Sequence, residues 1–111
     1  MIDLTLKDLP QFRGTERYYE VMGANITDGV KYIMDNGYGW VVTDAIVICQ
    51  MKLKRHPFIA ISLRVKHNKA TIEYTDGNYK VLFKQEYEYT NAKEDLTLFF
   101  IDNVMLLSGE Y

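Results

Sequence analysis

The sequence contains one cysteine, two histidines and no long hydrophobic run, and each of these shortages excludes a class of protein. Cys49 has no partner within the chain for an internal disulfide, which favours a reducing compartment. A membrane-spanning helix needs about 18 consecutive apolar residues, and no stretch approaches that length. The N-terminal MIDLTLKDLPQF carries acidic residues and lacks the apolar core of a secretory signal. We therefore expect a cytoplasmic protein without a membrane segment.

The chain also lacks a strong excess of charge of either sign. Its 13 basic and 15 acidic residues give a formal net charge of -2. Such a balance creates no long-range field that would attract nucleic acid or an anionic membrane. We therefore expect no membrane partner, and nucleic acid is a disfavoured partner.

Apolar and aromatic side chains are what the sequence has in quantity. Apolar residues make up 48% and charged residues 25% of the chain, which is typical of an ordinary globular domain. Single domains cluster at about 100–150 residues, so we expect one domain over residues 1–111. Nine tyrosines contribute to an aromatic content of 14%. Tyrosine in such numbers suits half-buried sheet faces and contact surfaces equally well.

Helical signals are confined to the first half of the chain. Thr15 is a candidate N-cap for a short helix over GTERYYEVMG that ends at Gly23. Thr27 is a stronger N-cap, and Gly37 supplies a left-handed stop for the helix that follows it. The next run, WVVTDAIVICQMKL, is apolar nearly all round. Its length and the cations after it favour a buried helix, whereas its β-branched residues leave a buried strand as the alternative.

From Pro57 onward the apolar pattern changes to an alternation with period two, which is typical of strands. The Asp76-Gly77 pair predicts a tight primed hairpin turn, and Asp102-Asn103 predicts a second turn. The predicted strands span residues 58–66, 70–75, 79–90, 96–101 and 104–107. The face of the third predicted strand that should be buried consists of Tyr79, Val81, Phe83, Gln85, Tyr87 and Tyr89. The predicted fold class is α+β, with N-terminal helices packed on an antiparallel meander sheet of four to five strands.

The sequence does not bring together a recognisable catalytic set. His56 and His67 both fall at turn positions beside cationic residues, where a solvated role is expected. Cys49 lies in the apolar run without a histidine at helical spacing, which indicates a small buried hydrophobe. The Gly37-Tyr38-Gly39 segment lacks the third glycine of a dinucleotide-binding pattern. We therefore expect no catalytic residues, no metal site and no cofactor.

Asp44 places a carboxylate in the middle of this apolar run. A carboxylate there must be hydrogen-bonded or paired, or else remain protonated. In one interpretation it is a structural acceptor for backbone N–H groups, a tyrosine hydroxyl or Lys31. In the other it is the polar anchor of a ligand pocket. The other residues of that predicted ligand-binding pocket are Tyr18, Tyr32, Trp40 and Gln50.

Five segments resemble an uncharacterised family of small bacterial, phage and plasmid proteins. The opening FRGTERYY resembles that family's F-x-G-T-E-x-Y-Y, and TDGVKYI resembles its T-D-G-V-K-Y-L. In the same way WVVTDAI is similar to W-L-L-x-D-A-I, EYEYT to E-I-x-[FY]-T, and the terminal VMLLSGEY to V-L-x-L-P-S-E-Y. The chain departs from the family at NAKEDL after Thr90 and at Ser108-Gly109. The resemblance covers nearly the whole chain and implies a mobile-element setting without implying an activity.

Three hypotheses of function follow from these observations. The first is a non-enzymatic protein-binding module of a phage or other mobile element, including an inhibitor of a host defence complex. The second is a small-ligand-binding protein or minor enzyme with its pocket around Asp44. The third is a structural protein that self-associates through an edge strand such as 96–101 or 104–107. The predicted partner-binding residues of the first hypothesis are Tyr87, Glu88, Tyr89, Glu110 and Tyr111.

Overall fold

Seven strands and two α-helices form the fold in residues 14–78 and 80–111, which are the residues that the computed structural model describes. The strands are β1 (Tyr19–Val21), β2 (Ala24–Ile26), β3 (Phe58–Lys66), β4 (Lys69–Thr75), β5 (Val81–Tyr87), β6 (Leu96–Ile101) and β7 (Val104–Leu107). The helices are α1 (Asp28–Ile33) and α2 (Gly39–Met51), and a short 3₁₀ turn (Ser108–Glu110) follows β7. Tyr79, which was predicted on the buried face of the third strand, lies outside the described residues.

The strands form one mixed sheet in the order β1-β2-β7-β6-β3-β4-β5. The pairs are antiparallel except for β2 with β7, which are parallel. The α+β class is therefore confirmed, whereas the prediction of four to five antiparallel strands in a meander is wrong. The strand β5 does not pair with β6 because the loop 88–95 carries the chain back to the other side of β3.

A β-hairpin replaces the helix that was predicted over residues 15–22. Met22 has φ 54° and Gly23 has φ 83°. These left-handed conformations form a two-residue turn that suits the twist of a hairpin. The turn pairs Tyr19 with Ile26 and Val21 with Ala24. Each of the two strands is three residues long, so the sequence has too few alternating positions to predict the hairpin.

The same type of turn closes two further hairpins, both at predicted turn positions. His67 and Asn68 have φ of 53° and 62° between β3 and β4. Asp102 and Asn103 have φ of 50° and 63° between β6 and β7. Asparagine tolerates this region because its short side chain forms local hydrogen bonds.

The connection between β4 and β5 is longer than the tight turn predicted at Asp76-Gly77. Gly77 has φ 88°, and the Asn78 N–H donates to the Asp76 carboxylate at 2.8 Å. An irregularity at the end of β4 then pairs Thr75 with Val81. The result is a hairpin joined by residues 76–80, in which Val81 is half exposed and does not reach the core.

The two helices are separated by a break at Gly37. The Thr27 side chain accepts a hydrogen bond from the Val30 N–H at 3.4 Å, as expected of the N-cap of α1. A π-helical turn (Met34–Tyr38) follows, and Gly37 leaves the helical region with φ 98°. The chain then resumes as α2, which confirms the helix favoured over a buried strand for the apolar run.

The core lies between α2 and one face of the sheet. In β3 the residues that alternate towards α2 are buried, and β4 and β6 repeat that pattern. This period-two burial is the alternation that the sequence predicted. The sheet residues of the core with relative exposure of 3% or less are Ala24, Ile26, Ile59, Ile61, Leu63, Ala70, Ile72, Tyr74, Leu98 and Met105.

Candidate functional site

An open cleft of about 410 Å³ lies where the start of α2 meets the end of β5. We call it the Asp44 cleft. Its lining residues are Gly37, Trp40, Asp44, Tyr87, Tyr89, Thr90 and Asn91. The helix supplies Trp40 and Asp44 from one face because they are four residues apart. The opposite wall comes from Tyr87 of β5 and the loop that leaves this strand.

Backbone hydrogen bonds hold the loop 88–95 at two points beside the cleft. The Thr90 N–H donates to the Asn68 carbonyl at 2.7 Å, which ties the loop to the turn between β3 and β4. The Thr90 hydroxyl accepts from the Ala92 N–H at 3.0 Å. Farther along, the Glu94 N–H donates to the hydroxyl of buried Tyr38 at 3.3 Å. These bonds position the loop against the start of α2.

Within the cleft, the Tyr87 hydroxyl donates to Oδ2 of Asp44 at 2.6 Å. The Tyr87 ring also packs edge-on against Trp40, with 4.9 Å between ring centroids and 67° between ring planes. Burial of Tyr87 raises its pKa, and the hydrogen bond to the Asp44 carboxylate and that group's charge raise it further. The hydroxyl therefore remains a hydrogen-bond donor at neutral pH, and it fixes the carboxylate in one orientation.

The Asp44 carboxylate has no cationic partner among residues 14–78 and 80–111. Lys31, which the sequence left as an alternative partner, pairs with Asp35 at 2.7 Å. The other ion pair of the described residues joins Lys84 and Glu86. Asp44 is thus the acceptor of a tyrosine hydroxyl, and it also lines the cleft, so the two interpretations of this residue are compatible.

Tyr89 forms the outer edge of the Asp44 cleft. Its side chain is 67% exposed, and its hydroxyl donates to the Asn91 Oδ1 at 2.8 Å. Glu88, between Tyr87 and Tyr89, is exposed and does not line the cleft. The cleft therefore combines half-buried aromatic rings, a carboxylate and one tyrosine ring in contact with water.

The remaining predicted ligand-binding residues lie elsewhere. Tyr18 is 60% exposed just before β1, at the opposite edge of the sheet from the cleft. Tyr32 is half-buried in α1 and packs against the core. Gln50 lines a second cavity of about 330 Å³, and its amide donates to Asn103 at 3.4 Å. Of the predicted pocket, the structure thus brings Trp40 and Asp44 together.

The second cavity contains a cysteine, a histidine and an aspartate, Cys49, His56 and Asp102. Burial of the Cys49 thiol raises its pKa to about 12, so it is not activated as a nucleophile. Across residues 14–78 and 80–111, no group of three potential metal-binding side chains is placed to hold a metal ion.

Glu110 and Tyr111, two predicted partner-binding residues, lie away from the cleft. The Glu110 carboxylate accepts hydrogen bonds from the Thr27 hydroxyl at 2.6 Å and the Gly29 N–H at 3.1 Å. It also accepts from the Leu107 N–H at 2.9 Å, so it joins the start of α1 to the end of β7. Tyr111 packs against Phe99 on the sheet face that points away from α2.

Asp28, the first residue of α1, joins this helix to the segment 15–19. Its carboxylate accepts from the Glu16 N–H at 2.9 Å and from the Tyr19 hydroxyl at 3.2 Å. The Asp28 N–H donates in turn to the Thr15 hydroxyl at 2.9 Å. The Glu16 N–H bond is the largest cause that lowers the pKa of the Asp28 carboxyl.

A family model matches residues 3–111 of the chain. The chain belongs to the family of unknown function DUF6876. This confirms the resemblance to an uncharacterised family. Comparison with curated proteins and with solved structures returned no match. In the part of the DUF6876 chain that the structure describes, no helix has the length and apolar character needed to span a membrane.

The segments that carry the resemblance to DUF6876 meet at two places in the fold. The segment 27–33 contacts the described part of 12–19 through Asp28, and Thr27 and Gly29 contact 104–111 through the Glu110 carboxylate. The segments 40–46 and 86–90 meet at the Asp44 cleft. The cleft residues that the sequence did not single out as a site are Gly37, Thr90 and Asn91. The Thr90-x-Ala92 turn is a local signal for the loop bend but gives no indication of where the loop docks.

Proposed function

We propose that the protein is a protein-binding module whose contact surface is the Asp44 cleft with the Tyr89 ring beside it. The single observation that carries the proposal is the exposed Tyr89 next to half-buried Trp40 and Tyr87. Tyrosine and tryptophan supply large contact areas together with a polar group, and they are enriched at the centres of protein interfaces. A partner that covers Tyr89 would bury most of its ring.

The shape of the cleft favours a macromolecule over a small molecule. A drug-sized ligand buries about 70–90% of its surface in its pocket. The Asp44 cleft is open, and its rim consists of the exposed residues Gly37, Tyr89 and Asn91. A side chain that projects from a protein surface fits such a cleft, because the rest of the partner covers the rim.

The class of partner that we propose is a host protein complex, including a complex that defends the host against mobile elements. The support for this setting is the resemblance of the sequence segments to small proteins of bacteria, phages and plasmids. Because the chain is nearly neutral overall, recognition of the partner depends on contacts within the interface and not on a long-range electrostatic field.

The test is affinity purification from a bacterial host lysate with the wild-type protein and two tyrosine variants, followed by mass spectrometry. Tyr89→Ala removes the exposed ring at the cleft. Tyr18→Ala is the matched control, because Tyr18 is similarly exposed but lies at the opposite edge of the sheet. We expect a protein that wild type and Tyr18→Ala retain and that Tyr89→Ala loses. Retention of no protein, or equal retention by both variants, would contradict the proposal.

A further inference from the structure

We infer that the Asp44 cleft takes the side chain of an arginine on the surface of the partner, an inference that rests on the proposed protein-binding function. Asp44 places a carboxylate among aromatic rings, and no cation of residues 14–78 and 80–111 neutralises it. A partner that covered this carboxylate without supplying an opposite charge would bury an unpaired ion, which is costly. The cleft is therefore selective for a positively charged group.

The hydrogen bond from Tyr87 leaves part of the carboxylate available to a partner. Its hydroxyl donates to Oδ2 of Asp44. No residue in the described part of the chain donates a hydrogen bond to Oδ1. A carboxylate has about four lone-pair sites, so it can accept two parallel N–H bonds from a guanidinium while it keeps the bond from Tyr87.

The aromatic rings give the cleft a second means of attracting a cation. A positive group over the face of tryptophan or tyrosine is attracted to the negative face of the ring, and arginine also stacks there through its planar guanidinium. The planes of the Trp40 and Tyr87 rings are inclined to each other at 67°, so the two ring faces point in different directions. At the mouth, the Asn91 Oδ1 that Tyr89 contacts is a further acceptor. Arginine can use the carboxylate and a ring face at the same time, which a lysine ammonium does less well.

Other occupants fit these features poorly. An acidic peptide or a nucleic-acid phosphate would be repelled by Asp44, and both would lack donors for its oxygens. An apolar side chain would contact the rings but would desolvate the carboxylate without replacing its hydrogen bonds to water.

Trp40 provides a direct test because it is the one tryptophan in the chain. Its fluorescence is to be followed while capped Gly-Gly-Xaa-Gly-Gly peptides are added, with arginine, citrulline, lysine or glutamate at the central position. Citrulline matches arginine in shape and lacks its charge. We expect a saturable change with the arginine peptide, at least tenfold weaker binding of the citrulline peptide, and no binding of the glutamate peptide. Equal binding of arginine and citrulline, or tighter binding of lysine, would overturn the inference.

Two carboxylate variants assign the binding to Asp44. Asp44→Asn removes the charge but keeps an oxygen that can accept the bond from Tyr87. Glu86→Gln makes the same change in charge on β5, at an exposed residue that does not line the cleft. We expect Asp44→Asn to weaken arginine-peptide binding at least tenfold and Glu86→Gln to leave it within twofold. Thermal melting of Asp44→Asn checks that the variant is folded, and unchanged binding by the folded variant would overturn the inference.

The same variants separate this inference from the proposed function. A lysate partner that Tyr89→Ala loses and Asp44→Asn retains would overturn the arginine assignment and leave the protein-binding function standing. A lysate that yields no partner would overturn the function. The peptide titration would still decide whether the cleft binds a guanidinium.

Discussion

The Tyr87 hydroxyl donates a 2.6 Å hydrogen bond to Asp44 and thereby joins two residues that are 43 positions apart in the sequence. The bond connects the edge strand β5 to α2, which otherwise packs mainly on the centre of the sheet. Because Trp40 packs on the same tyrosine ring, one side chain holds together both walls of the Asp44 cleft. Stability and the shape of the cleft therefore depend on a common contact.

We expect Asp44→Ala to lower the free energy of unfolding by about 1–3 kcal/mol, because the half-buried Tyr87 hydroxyl loses its acceptor. Urea denaturation of Asp44→Ala, Tyr87→Phe and the double variant measures the effect and the coupling between the two residues. We expect a coupling of about 1 kcal/mol, since the two side chains are in contact. Additive effects of the two substitutions would show that the bond does not stabilise the fold.

Gly29→Ala should destabilise the junction between α1 and β7. A Cβ atom at Gly29 would meet the Leu107 side chain and would lie 2.7 Å from Glu110 Oε1. Neither group can move freely, because Leu107 is buried and Glu110 accepts three hydrogen bonds. We expect a loss of about 1–3 kcal/mol in urea denaturation, as for other overpacked sites.

The matched control for Gly29→Ala is Gly14→Ala, at a glycine where an added Cβ would meet nothing within 4 Å. A surface change of this kind usually alters the free energy of unfolding by less than about 0.5 kcal/mol. Equal effects at the two glycines would contradict the crowding argument.

Asp28 should make the stability of the fold decrease in acid. Hydrogen bonds, with the Glu16 N–H first, lower its pKa in the folded protein. A lowered folded pKa stabilises the fold above the unfolded value of about 3.9, and this contribution disappears as the pH falls through the folded pKa. Between pH 5 and pH 2, we expect the melting temperature of wild type to fall more steeply than that of Asp28→Asn. Parallel curves for the two proteins would refute this role, and Glu20→Gln is the control at an exposed carboxylate of β1.

Cys49 should react slowly with thiol reagents in the native protein. Burial raises its pKa from 9.0 to about 12, which lowers the thiolate fraction at pH 8 by roughly a thousandfold. We expect little labelling by Ellman's reagent in buffer and complete labelling in denaturing urea. Rapid labelling of the folded protein would show that the second cavity exposes the thiol.

The sequence predicted those elements whose signal is local and repeated. Nine residues alternate from Phe58 to Lys66, and β3 has those bounds. The capping signal at Thr27 identified the start of α1, and Gly37 marked the break before α2. The β1–β2 hairpin escaped prediction because three-residue strands show no period, and its Met22-Gly23 turn resembles a helix end in sequence.

The candidate site was predicted only where local structure fixes the direction of its side chains. Trp40 and Asp44 were grouped because a helix fixes the direction of residues four apart. Tyr87 was named as a partner-binding residue, but its contact with Asp44 depends on the sheet order and on the path of the loop 88–95. No local pattern specifies that β6 pairs with β3 instead of β5, so the wall formed by Thr90 and Asn91 could not be placed from the sequence.

The parallel pairing of β2 with β7 has a consequence for how the protein is made on the ribosome. The first hairpin and α1 leave the ribosome early, but their place in the sheet is defined by Val104–Leu107 and by Glu110. Until those residues are translated, the hairpin has no neighbouring strand and the start of α1 lacks its carboxylate. Contacts between segments so distant in sequence form late and slowly. We therefore expect the β1–β2 hairpin to dock only after β7 is made, and a nascent chain halted before β7 should keep it accessible to proteases.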